Sequence, residues 1–194
     1  MYKPGKAWQG ADRPAVATAC NRTQIRRQED RMGETSLYET DILAWTEEQA
    51  AALRALAGRP DLPNALDLSN VIEEIEALGR SEVRAATSPM RLILEHLVKL
   101  ASAPNAASVP HWTDEIIRWH RDVRAALAPS MYQRVDLQGL WREAVRDASR
   151  SLRAHGDRIR EDVPTECPLA LEDFLAPDFD LDGALRRLDA SGDG

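Results

Sequence analysis

Two stretches between Asp67 and Ala101 constrain this chain more than any other feature. In the first, Leu68, Val71, Ile72, Ile75 and Leu78 recur at three- and four-residue steps. That spacing places them on one face of an α-helix, where each residue turns by about 100°. Asp67 is a good N-cap for this helix, because its carboxylate can accept hydrogen bonds from the first unpaired amides. In the second stretch, Met90, Leu92, Ile93, Leu94, Leu97, Val98 and Leu100 cover more than half of the helix circumference. A helix this apolar belongs at the centre of a bundle, covered on most sides by others. Between the two, Ser81-Glu82 restarts or continues the helix after Gly79. Pro89 either kinks one long helix or, with Ser88 as its cap, opens a fresh one.

Elsewhere the same period recurs and no period-two strand pattern appears. Leu37, Tyr38, Ile42 and Trp45 suit a short helix, and Thr46-Glu47-Glu48-Gln49 reads as a capping box opening the next. That next helix carries Ala50, Leu53 and Ala57 inward and stops at Gly58, before Pro60. Trp112, Ile116, Trp119, Val123 and Leu127 form a further stripe that Pro129 ends. Asp136 caps a last long helix with Leu137, Leu140, Trp141, Ala144, Val145, Ala148 and Leu152 inward, closing near Gly156. Pro164, Pro168 and Pro177 leave room for one short helix around Leu171–Leu175, and Phe174, Leu175 and Phe179 can dock it. The expected fold is all-α: a compact bundle of four to five main helices with a short C-terminal helical appendage.

Charge divides the chain into three parts. Residues 1–33 carry seven Lys/Arg against three acids, lack periodicity, and read as a disordered basic extension. A gene start placed too early, with Met32 as the alternative initiator, explains them as well as a functional basic arm does. Residues 34–180 read as one helical domain, and 181–194 as a flexible acidic tail in which Leu181, Leu185 and Leu188 permit a transient helix. The formal net charge of −7 gives the body no basic surplus, which argues against a duplex-DNA binder. Cys20 and Cys167 form neither a disulfide framework nor a metal pair. No apolar run approaches the roughly 20 residues of a membrane span, so a cytoplasmic protein with no membrane role is expected.

A series of short motifs runs in order through the chain. Leu37-Tyr38-Glu39-Thr40-Asp41 leads to Ala44-Trp45-Thr46. Asp67-Leu68 follows, then Val71-Ile72-Glu73-Glu74-Ile75-Glu76-Ala77-Leu78-Gly79, Ser81-Glu82 and His96-Leu97-Val98-Lys99. Cys167-Pro168, Leu171-Glu172 and Asp178-Phe179 close the series. Together they resemble the bacterial family of domains of unknown function numbered twenty-nine, over Ser36 to Phe179. The resemblance implies an all-helical fold and supplies no activity. Pro89 departs from the uninterrupted helix usual in the family at that point.

Few residues are candidates for chemistry. His96 sits between Leu92 and Leu100 on the shoulder of the most apolar helix. It reads either as a core-edge imidazole bonded to a carbonyl or as a metal ligand or general base. Glu73 and Glu76 share a side of their helix and read as a solvated face salt-linked to residues such as Arg80, as a partner surface, or as an acid–base pair. His111 and Trp112, beside the proline-rich loop, are candidates for a partner contact, as is Glu73. Arg142, Arg146, Arg150 and Arg153 line one side of a helix, but Glu143 and Asp147 nearby suggest a salt-paired face. No Glu-x-x-His pair, H-E-x-x-H, phosphate loop, G-x-S-x-G or zinc-type Cys pair occurs, so no cofactor and no metal are expected.

Three function classes remain. The first is a non-catalytic adaptor that binds an unknown protein partner or associates with itself. The second is a metal-assisted hydrolase using His96 with Glu73 or Glu76 from a neighbouring helix. The third, which the charge disfavours, is a nucleic-acid accessory protein using the arginine stripe.

Overall fold

The computed structural model describes residues 36–59, 61–63 and 65–190. The 1–33 extension, its alternative start at Met32 and the last residues of the acidic tail lie outside them. The described residues contain helices and turns and no strand. The helices are α1 (Leu37–Thr40), α2 (Ile42–Leu56), α3 (Leu68–Ser102), α4 (Val109–Ala126), α5 (Leu137–Ala154), α6 (Leu171–Leu175) and α7 (Leu181–Ala190). A 3-10 turn, Pro129–Arg134, joins α4 to α5. None of these helices is long and apolar enough to cross a membrane.

Helix α3 organises the rest. At 35 residues it is about 50 Å long, and α2, α4 and α5 all pack against it. Pro89 neither splits it nor starts a second helix. Pro89 has no N–H to donate to the carbonyl of Ala85, four residues earlier. Ser88 is not a cap: its hydroxyl donates back to the Arg84 carbonyl at 2.8 Å. From Ala86 onward α3 is the core, with Met90, Ile93, Leu94, Leu97 and Val98 at most 1% exposed. Opposite them lie Ile116, Trp119 and Val123 of α4 and Trp141, Ala144 and Ala148 of α5. The Asp67 and Asp136 caps form as expected, their carboxylates accepting from Asn70 N and Gly139 N. Gly156 ends the α5 region at φ +87°, a conformation that glycine adopts without strain.

The reading of Thr46 as the cap of a new helix is overturned. Helix α2 runs unbroken through it, and the hydroxyl bonds instead to the Leu43 carbonyl at 2.7 Å, fully buried. The cap is Asp41, which accepts from Ala44 N and also from the Ser130 amide and hydroxyl, tying α2 to the 3-10 turn. Burial alone would raise the Asp41 carboxyl, but the Ser130 and Ala44 bonds outweigh it and hold it below its ordinary pKa.

The acidic tail also differs from the expectation over 181–190. These residues form α7, capped by Asp180, whose carboxylate accepts from Gly183 N at 2.9 Å. Ala184 and Leu188 are buried in the core cluster. Leucines at 181, 185 and 188 with an alanine at 184 were enough to outweigh the charge between them. Phe174 is fully buried, and the Trp141 indole N–H donates to the Pro164 carbonyl at 2.9 Å, clamping the proline-rich segment onto α5.

Candidate functional site

The residues proposed for metal chemistry do not meet. His96 and Glu76 lie on the same helix, twenty residues apart, which is about 30 Å along the axis. Glu73 is farther still, so no neighbouring helix brings either carboxylate to His96. Glu76 instead pairs with Arg54 of α2, and Glu73 with Arg80 at 3.6 Å. Among the described residues no three His, Cys, Asp or Glu side chains are placed to hold a metal ion.

His96 is a core-edge imidazole. Its Nδ1–H donates to the Leu92 carbonyl at 3.1 Å, and its ring meets Trp119 edge-on at 4.7 Å and Trp112 at 6.4 Å. Burial, followed by the nearby Lys99 ammonium, lowers its pKa to about 4, so the ring is neutral at pH 7. Trp112 is half-buried against this ring rather than standing free, while His111 is exposed. The Cys167 thiol is pushed up to about 11 by burial and is protonated at neutral pH.

Beside His96, the sequence reading missed a buried ion pair. Glu95 and Lys99, both under 10% exposed, meet at 2.5 Å. Arg91 joins them at 3.5 Å from Glu95 and bonds Asp147 of α5 at 2.6 Å. Charged residues at i, i+4 and i+8 ordinarily mark a solvated face; here Arg91 ties that face to α5 through Asp147, and each charge has a partner.

A concave feature with mixed polar and apolar lining lies elsewhere, between α2 and the first half of α3. A groove of about 660 Å³ opens there. Its floor is small or aliphatic: Leu43, Thr46, Ala50, Gly79 and Val83. Gly79 is what lets the helices cross closely, since a Cβ there would stand 2.5 Å from the Thr46 hydroxyl oxygen and 3.1 Å from a Leu43 methyl. Arg54, Arg80, Arg84 and Arg134 stand around it with Glu47 and Glu76. Arg134, from the 3-10 turn, closes one end by bonding Glu47 at 2.7 Å. Arg84 meets no carboxylate among the described residues; its Nε–H reaches only the Arg80 carbonyl, at 3.4 Å. Of the candidates named from sequence, Glu76 lines this groove and Glu73 borders it through Arg80, whereas Trp112, His111 and His96 lie elsewhere. The arginines were not visible as a set because they come from three separate segments.

A buried-core helical domain with an arginine-walled groove, and no convergent metal or acid–base cluster among the described residues, is the class that fold and site define. The chain belongs to the family described as domain of unknown function DUF29, whose model matches residues 37–180. It is also similar to a solved structure, an alpha-helical protein of unknown function from Rhodospirillum rubrum. The two share 38% identity with a TM-score of 0.72, over 80% of this chain and 99% of that one. No curated protein matches.

Proposed function

We propose that this protein is a non-catalytic cytoplasmic adaptor whose α2–α3 groove takes an acidic, amphipathic helical segment of a partner protein. The observation that carries the reading is the groove's chemistry: four arginines against two glutamates above an aliphatic floor. Amphipathic helices dock in such grooves by apolar contacts, and charge at the rim selects among them. The same hairpin also leaves Leu56, Leu66, Val71 and Leu78 exposed, a concentration of apolar surface unusual for a face with no partner. The metal-hydrolase reading loses its support once His96 is separated from both glutamates.

The test uses the full chain and two synthetic helical peptides with the same leucine stripe, one flanked by glutamates and one by lysines. Titration calorimetry should show saturable binding of the acidic peptide only, weakened about tenfold or more by Arg84→Glu. Arg118→Glu, an exposed reversal on α4, should leave binding unchanged. Equal binding of both peptides, or an unaffected Arg84→Glu protein, would remove the groove as the docking site.

A further inference from the structure

The arginine stripe of α5 looks salt-paired in sequence, and the structure shows that much of it is not. Asp147, the acid expected to neutralise it, is drawn to Arg91 of α3 at 2.6 Å and reaches Arg150 only at 3.2 Å. Arg146 has no ion-pair or hydrogen-bond partner among the described residues. Arg153 donates to the Ser149 hydroxyl at 2.9 Å. These side chains border a concavity of about 510 Å³ lined by Val145, Arg146, Ser149, Arg150, Arg153 and Ile159. No carboxylate lines it. In a chain of net charge −7, three cations and a hydroxyl border this concavity, and of the three only Arg150 has an acid partner, Asp147.

From this we infer that the α5 concavity is a binding site for a small phosphate-bearing ligand with an apolar or aromatic moiety, of the size class of a nucleotide. Each guanidinium is a planar fork that matches phosphate oxygens two at a time, and the Ser149 hydroxyl can donate a further bond. A phosphate would also give Arg146 the anionic partner that it lacks among the described residues. Val145 of α5 and Ile159 of the segment after it form two aliphatic walls that a bare phosphate would leave uncovered. The volume falls in the range of small-molecule sites, roughly 300–1,000 Å³. The site is independent of the α2–α3 groove and stands or falls separately from the adaptor reading.

The experiment titrates ATP, inorganic phosphate and a short single-stranded oligonucleotide into the full chain by calorimetry. Saturable ATP binding is expected, with phosphate competing more weakly. Arg146→Gln should weaken ATP about tenfold, while Arg142→Gln, on the same stripe but outside the concavity, should change it less than about twofold. Both residues are exposed, and circular dichroism of each variant checks that it folds. Absence of saturable binding by ATP and phosphate overturns the inference. So does an Arg142→Gln effect as large as that of Arg146→Gln, since that marks a diffuse field rather than a site. Tighter oligonucleotide binding that depends equally on both arginines would overturn it too, by assigning the stripe to a nucleic-acid backbone.

Discussion

The two halves of α3 share one uninterrupted backbone and differ in almost everything else. From Leu68 to Ala85 the only buried residue is Gly79, and Val71 and Leu78 are exposed. Beyond it Ala86 and Met90 are buried, and from Ile93 to Leu100 every residue is, Glu95, His96 and Lys99 included. The difference lies in the number of neighbours. The second half packs in one core with residues of α4, α5 and α7, whereas the first half is bordered by α2 and, at its groove, by Arg134 of the 3-10 turn. A helix can therefore be core at one end and a presented surface at the other without any break in its hydrogen bonding, and the proposed docking groove lies at the presented end.

The largest expected effect tests the buried end. Leu97 is 1% exposed, and Leu97→Ala should cost about 2–5 kcal/mol by removing methyl groups and leaving a cavity. Denaturant unfolding measures it, and a loss below about 0.5 kcal/mol would mean that this half is not the core.

Acid should act on the same end through His96. Its folded pKa of about 4 lies below the unfolded value near 6.5. Between those values the unfolded chain binds the proton and the folded chain does not. Stability should therefore be intact above about pH 6.5 and fall as pH drops toward 4. Urea midpoints across that window should decline in the wild type and flatten in His96→Gln. An equal decline in both would assign the acid sensitivity to other groups.

At the presented end, Gly79→Ala places a methyl group against the buried Thr46 hydroxyl and Leu43. Overpacking of this kind costs about 1–3 kcal/mol, and the added group should also pry α2 away from α3. A thermal melt with unchanged stability would show that the crossing is looser than the 2.5 Å approach indicates. The smallest effect is expected one residue earlier. Leu78 is 39% exposed, and Leu78→Ala should cost about 1 kcal/mol or less. Were it to match Leu97→Ala, the contrast between the halves would collapse.

Sequence periodicity recovered α4, α5 and both stretches of α3 with most of their inward residues, because burial of one face repeats at the helical period, and the flanking prolines marked out α6. It placed Leu78 inward as well, since a stripe records which residues could face a neighbour and not whether one is there. The Thr46 capping box was misread because a buried mid-helix threonine that bonds its own backbone has the same local spacing as a cap. Helix α7 was underestimated because acidic composition spoke against it, while the hydrophobic socket that receives Leu188 is assembled from distant segments. The groove was the least legible feature. Its arginines at 54, 80, 84 and 134 come from α2, α3 and the 3-10 turn, and the Gly79 crossing that sets their spacing has no local signature beyond a single glycine.

Native-state hydrogen exchange along α3 tests the contrast most directly, because it reads both halves in one experiment. Amides of residues 90–100 should exchange only through global unfolding. Those of 70–82 should open with a clearly smaller free energy, as expected for an element covered on one side. Equal opening free energies along the whole helix would contradict the account, and would mean that the α2–α3 hairpin belongs to the core.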